Sequence, residues 1–166
     1  MTMTPDVRLY TIGAIGFTAD TFFAALQAAQ IDLFCDVRAR RAMRGAAYAF
    51  ANSRRLQERL EDLGIRYVHR PDLAPSAELR TAQGDADHAA GVAKRKRTAL
   101  SEAFIAGYTA DVLDQLDSGA LLADLMPARR IVFFCVEREP RACHRSLLVA
   151  KLAGDLNLGV ENLTPG

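Results

Sequence analysis

The residues best able to do chemistry lie close together in one stretch, IVFFCVEREPRACHRSLLVAKL, residues 131–152. It holds Cys135, Glu137, Cys143, His144 and Arg145, and so two of the chain's three cysteines and one of its three histidines. Glu137 can serve as a general acid or base. Pro140 suits the first position of a helix, which would put Cys143 and His144 in or near its first turn. Free amides and the helix dipole favour an anion there, either a bound phosphate or a thiolate. A thiol with an ordinary pKa of about 8.5 can fall below neutrality in such a place, which makes Cys143 a candidate nucleophile assisted by His144. Arg145 would hold a charged group of the substrate. The plainer reading makes both thiols small buried residues, Cys135 above all, since it ends an apolar run.

A second cluster, CDVRARRAMR, supplies Asp36, Arg38, Arg40, Arg41 and Arg44. An aspartate beside an arginine can fix the guanidinium through a bidentate pair, and arginine forks match phosphate and carboxylate oxygens. Asp36, Arg38 and Arg44 are therefore candidate anion-binding residues. The alternative is that the first two buttress a loop while the remaining arginines form a solvated face. His69, near a strand end, and Gly13, in a tight strand-to-helix turn, are secondary candidates. KRKR at 94–97 reads first as a solvated patch, or else as a group reaching toward a polyanion.

Metal and cofactor signatures are missing. There is no C-x2-C pair, and adjacent Cys143 and His144 would project in different directions from a helix, so no metal ion is expected. Neither G-x-G-x-x-G nor a P-loop occurs, so no cofactor is expected either. Cys135 to Arg141 has the C-x5-R spacing of a phosphatase loop. Its interior, VEREP, carries two glutamates and a proline where a phosphate cradle needs converging amides.

The elements that must position these residues alternate. Strands are predicted at 8–12, 31–37, 65–69, 131–136 and 160–163. Helices fall between them, with Phe22, Leu26 and Ala29 on one face of the first and Leu56, Leu60 and Leu63 on one face of the second. Helical spacing returns at Leu100, Phe104, Tyr108, Val112 and Leu116. A short helical piece at 120–126 precedes the fourth strand, and a longer helix follows it to about Leu156. Residues 71–97 break the rhythm as a polar excursion or lid with no sustained apolar face. The expected fold is α/β and three-layered: a mostly parallel sheet of about five strands with helices on both faces, as a single domain over 1–166. Ligands bind such sheets at the strand carboxyl ends, where Gly13, Asp36, Arg38, His69, Cys135 and Glu137 all fall.

The chain's 166 residues are half apolar and a quarter charged, the balance of an ordinary soluble globular protein. A net charge of +1 excludes a general polycation, so attraction for an anion must come from local clustering. An odd cysteine count argues against a disulfide framework. MTMTPDVR lacks the features of an export signal, and no apolar run approaches the length of a membrane helix. These features point to a cytosolic protein that does not engage membranes, its oligomeric state left open.

The chain also resembles the domain of unknown function 488 family. TIG at 11–13, DVR at 36–38, GIRYVHRPDL at 64–73, C-x-E at 135–137 and CHR at 143–145 carry the resemblance over nearly the whole chain. LAPSAELR at 73–80 is similar to an LAPT-type subgroup with a longer, more polar middle segment. The family commonly has His-Ser after TIG, where this chain has Ala14-Ile15. It also has a proline and a Ser-Arg pair after DVR, where this chain has ARRAMR. The resemblance implies an α/β fold with Asp36, Arg38, Cys135, Glu137, Cys143, His144 and Arg145 gathered in one pocket. It implies no particular reaction.

The sequence therefore supports a hydrolase or group transferase acting on an anionic, phosphorylated or nucleotide-like ligand. Glu137, Cys143 and His144 would be catalytic, with Asp36, Arg38, Arg44 and Arg145 at the anion. Two rivals remain at this stage: a noncatalytic nucleotide- or nucleic-acid-binding module, and a purely structural ion-pair network at the sheet edge.

Overall fold

The computed structural model of the chain describes residues 6–93 and 96–166, so Lys94 and Arg95 of the KRKR patch lie outside the described residues. Five strands form one sheet: β1 (Arg8–Gly13), β2 (Leu33–Asp36), β3 (Arg66–His69), β4 (Arg130–Cys135) and β5 (Gly159–Leu163). Their order is β3-β2-β4-β1-β5, and every pairing is parallel. The expected α/β architecture holds.

Parallel strands covered on both faces need side chains that are apolar on both sides, as β2 and β4 have. The pleat then sorts residues into two cores. Phe34, Val132 and Phe134 pack with α1 (Ala19–Ala28) and α2 (Ser53–Asp62) on one face. Leu33, Cys35, Ile131, Phe133 and Cys135 pack on the other with α4 (Glu102–Asp111), α5 (Ser118–Leu125) and α6 (His144–Leu156). Thr18 starts α1 with a capping box, its hydroxyl accepting from the Thr21 amide at 3.1 Å while Thr21 Oγ1 accepts from the Thr18 amide at 2.9 Å. Among the described residues no helix is long and apolar enough to cross a membrane.

Two departures from expectation bear on function. The polar segment is ordered by α3 (Ala77–Ala89), which Ser76 caps by accepting from the Leu79 amide at 3.1 Å. And Pro140 opens a separate 3-10 turn, Pro140–Ala142, rather than the helix. Cys143 follows in extended conformation (φ −136°, ψ 146°) as the cap residue of α6 and His144 begins the helix, so both lie at its first turn as expected.

The strand order creates a crevice. β2 and β4 are neighbours, yet the chain leaves β2 toward α2 on one face and leaves β4 toward α6 on the other. Such a divergence opens a cleft at the strand carboxyl ends.

Candidate functional site

The β2 side of the crevice is built on Asp36, whose carboxylate has no exposure to solvent. Arg38 donates to it twice, from Nε to Oδ1 at 2.9 Å and from Nη2 to Oδ2 at 2.8 Å, and the Tyr67 hydroxyl donates to Oδ2 at 2.7 Å. Arg38 Nη1 donates to the Ala51 carbonyl at 2.9 Å, and the guanidinium lies 4.6 Å from the Phe134 ring centroid. Burial and the bond to Asp36 push the Tyr67 hydroxyl up to about 12. His69 donates from Nε2 to the Arg38 carbonyl at 2.8 Å, since a carbonyl can only accept. Asp36, Arg38, Tyr67 and His69 are thus a bonded buttress. Arg38 borders the cavity but commits Nε and Nη2 to Asp36 and Nη1 to the Ala51 carbonyl. Arg44 lies exposed on the cavity wall.

The β4 side holds the sulfurs. Cys135, Cys143 and His144 are all buried. His144 Nε2 donates to the Val37 carbonyl at 3.1 Å, which leaves Nδ1 facing the two sulfurs, 3.6 Å from Cys143 Sγ and 3.8 Å from Cys135 Sγ. The expectation that Cys143 and His144 diverge is therefore corrected: with Cys143 extended at the helix cap, the two side chains converge. Burial would raise the Cys143 thiol, but a bond from the Cys135 thiol and the His144 and Arg145 charges outweigh it and hold it well below the usual thiol range. The bond to Cys143, reinforced by burial, pushes Cys135 up instead. Burial would lower His144, and the Cys143 charge more than reverses this. Cys35 is simply buried in the core and pushed up to about 12.

Arg145 was expected at the ligand, yet it is wholly buried and absent from the cavity lining. Its Nη1 donates to the Glu137 carbonyl at 2.7 Å and its Nη2 to the Arg138 carbonyl at 3.4 Å, so it fixes the loop after β4 from beneath. Gly13 completes that support, because a Cβ there would overlap the Glu137 carbonyl oxygen. Gly13→Ala is therefore expected to displace the Glu137 loop and lower stability by about 1–3 kcal/mol, as overpacking does. Urea denaturation measures this, and an unchanged midpoint would refute the close fit.

Between the two sides lies a cavity of about 640 Å³, floored by Cys135, Glu137, Cys143 and His144. Its outer wall is α3, which contributes Arg80, Gln83, Gly84, Asp87 and His88. Those positions follow i, i+3, i+4, i+7 and i+8, the spacing of one helix face. Arg97 ties this wall to the floor. Its Nη1 donates to Asp87 Oδ2 at 2.7 Å, and its Nη2 to the Ala142 carbonyl at 2.9 Å and to Glu137 Oε1 at 3.3 Å. Gln83 links Asp87 (2.9 Å) to the Ser101 amide (2.8 Å).

A family model, Domain of unknown function DUF488, matches residues 18–152. The chain belongs to the DUF488 family. No curated protein and no solved structure matches it. The DUF488 match spans Asp36, Arg38, Glu137, Cys143, His144 and Arg145, and leaves Gly13 and β5 outside.

Arg97 and the inner face of α3 also belong to this cavity, and no motif in the sequence marks them. Cys135 reaches the cavity floor as the last residue of β4, the strand-end position expected of it. Arg97 stands in a run that reads first as a solvated patch, yet it is turned inward, its side chain only 10% exposed. The periodicity of α3 was present but written in polar residues.

Proposed function

We propose that the chain is an enzyme, a hydrolase or group transferase, acting on a small anionic, phosphorylated or nucleotide-like molecule held in this cavity. The polar inner face of α3 carries the reading. A helix packed on an α/β domain normally turns an apolar face inward, because buried polar groups cost free energy unless bonded. Here the buried positions are Gln83 and Asp87, both hydrogen-bonded, and they wall a cavity instead of filling a core.

The lining suits a two-part ligand. Arg40, Arg44 and Arg80 offer cationic donors at exposed positions, and among the described residues none of them forms an ion pair. Val92, Leu100 and Phe104 offer apolar contacts. Phosphate oxygens would meet the arginines while a ring lies against the apolar residues. Glu137 would be general acid or base, assisted by Cys143 and His144. A volume of about 640 Å³ falls in the range of small-molecule sites, and the inward turn of Arg97 removes one cation that a nucleic-acid-binding module would use.

The test separates binding from turnover. Calorimetric titration with inorganic phosphate and with nucleoside mono- and triphosphates is expected to find one site. Arg80→Ala and Arg44→Ala should each weaken it by about tenfold, the loss of a charge-assisted hydrogen bond. Glu137→Gln should bind comparably but turn over at least about 100-fold more slowly any nucleotide the protein converts. Failure of all these anions to bind would overturn the cavity assignment. Full turnover by Glu137→Gln would remove Glu137 from its role.

A further inference from the structure

We propose that Cys135, Cys143 and His144 form a binding site for one zinc-class metal ion, with three protein ligands and a fourth position open to the cavity. The three ligand atoms lie within 4.8 Å of one another, and all three residues are more than nine-tenths buried. This rests on the cavity described above only for what the fourth position faces. The ligand set stands independently of any anion.

The spacing that lets these three side chains hydrogen-bond to one another also suits three ligands of one ion. Zinc holds sulfur at about 2.3 Å and imidazole nitrogen at about 2.0 Å in tetrahedral geometry, which puts sulfur and nitrogen about 3.6 Å apart. The observed separations from His144 Nδ1 are 3.6 Å to Cys143 Sγ and 3.8 Å to Cys135 Sγ. One nitrogen standing at nearly equal distance from two sulfurs is the arrangement a shared central ion requires.

The orientation of His144 is a second, independent observation. A metal-binding histidine usually donates its remaining ring N–H to a carboxylate or a backbone carbonyl, which fixes the tautomer and aims the lone pair at the ion. His144 Nε2 donates to the Val37 carbonyl at 3.1 Å, so Nδ1 is the ring atom turned toward the sulfurs, where a bound ion would take the place of its proton. The edge of Tyr108 packs against the ring, centroids 5.4 Å apart, and Tyr108 is held in turn by donating to the Leu73 carbonyl at 2.7 Å. The ring is thereby fixed from two sides.

Ligand type and number narrow the ion and its role. Two thiolates and an imidazole select a soft or borderline cation over magnesium or calcium, which take oxygen. Among the described residues no further cysteine, histidine or carboxylate joins the three. Structural zinc sites close with four protein ligands, whereas three with an open place characterise sites that hold water or substrate. All three residues border the cavity beside Glu137, so the open place lies where a ligand would enter. An ion there would polarise a water or a substrate oxygen.

The experiment uses the whole protein, purified under reducing conditions, stripped with chelator and titrated with cobalt(II) as a spectroscopic stand-in for zinc. One equivalent should bind, with thiolate-to-cobalt charge-transfer absorption and the intense visible bands of tetrahedral coordination, and zinc should displace it. Cys135→Ser, Cys143→Ser and His144→Gln should each lose at least about 100-fold in affinity, more than a lost outer-shell partner costs. No binding, binding without the sulfur absorption, or affinity unchanged in both serine variants would each overturn the site. Should a variant fail to fold, the cobalt spectrum of the unaltered protein decides. Phosphate titrations of the zinc-free protein keep the two proposals apart. Anion binding without cobalt binding removes the metal site alone, and cobalt binding without anion binding removes the anion assignment alone.

Discussion

Arg38→Ala is expected to cost about 3–5 kcal/mol of folding stability, the range measured when one partner of a buried ion pair is removed. The substitution leaves the Asp36 carboxylate in a place without solvent, keeping the Tyr67 hydroxyl and losing both guanidinium donors. It also strips the Ala51 carbonyl of its donor and the Phe134 ring of the cation over it. Arg38→Lys should recover only part of the loss, because an ammonium cannot reach Asp36 in bidentate fashion and Ala51 at once. Asp36→Asn with Arg38→Met, which removes both charges, should be less destabilising than Arg38→Ala alone. Urea unfolding of the three variants checks this order. A stable Arg38→Ala protein that has lost anion binding would reverse it, and would make Arg38 a ligand residue.

The order of these effects shows which parts of the molecule were legible in its residues. LFCD and IVFFC read as buried strands because a parallel sheet needs apolar side chains on both faces, and they are central strands. The place of β4 between β2 and β1 could not be read, because strand order depends on which helices cross which face. Convergence of the reactive residues followed from the strand ends alone. What failed was the sorting within it. Arg145 reads as a ligand residue because an arginine fork matches anionic oxygens, yet its fork is bonded to two backbone carbonyls. Cys135 reads as core because it ends an apolar run, and the packed face it lies on also carries Cys143. Helix α3 was hidden because amphipathic reading searches for an apolar stripe, while this helix turns Gln83 and Asp87 inward.

Gly84 makes that last point testable. It lines the cavity from the middle of α3, and a Cβ built there meets nothing within 4 Å. Glycine inside a helix costs about 0.8–1 kcal/mol relative to alanine, so Gly84→Ala should raise stability by up to that amount with little change in binding. Gly84→Leu should keep most of the helical gain, because leucine is nearly as good a helix former. Its side chain must then occupy space that a ligand would use. Forcing a ligand against it should weaken phosphate or nucleotide affinity by about tenfold to a few hundredfold, the equivalent of 1–3 kcal/mol of overpacking. Thermal melts and calorimetric titrations of the same two variants read both effects. A protein that gains stability while losing its ligand separates a binding wall from a packing wall, since a packing helix offers no space to fill. Undiminished affinity in Gly84→Leu would mean that the ligand does not enter this cavity, and the polar face of α3 would need another explanation.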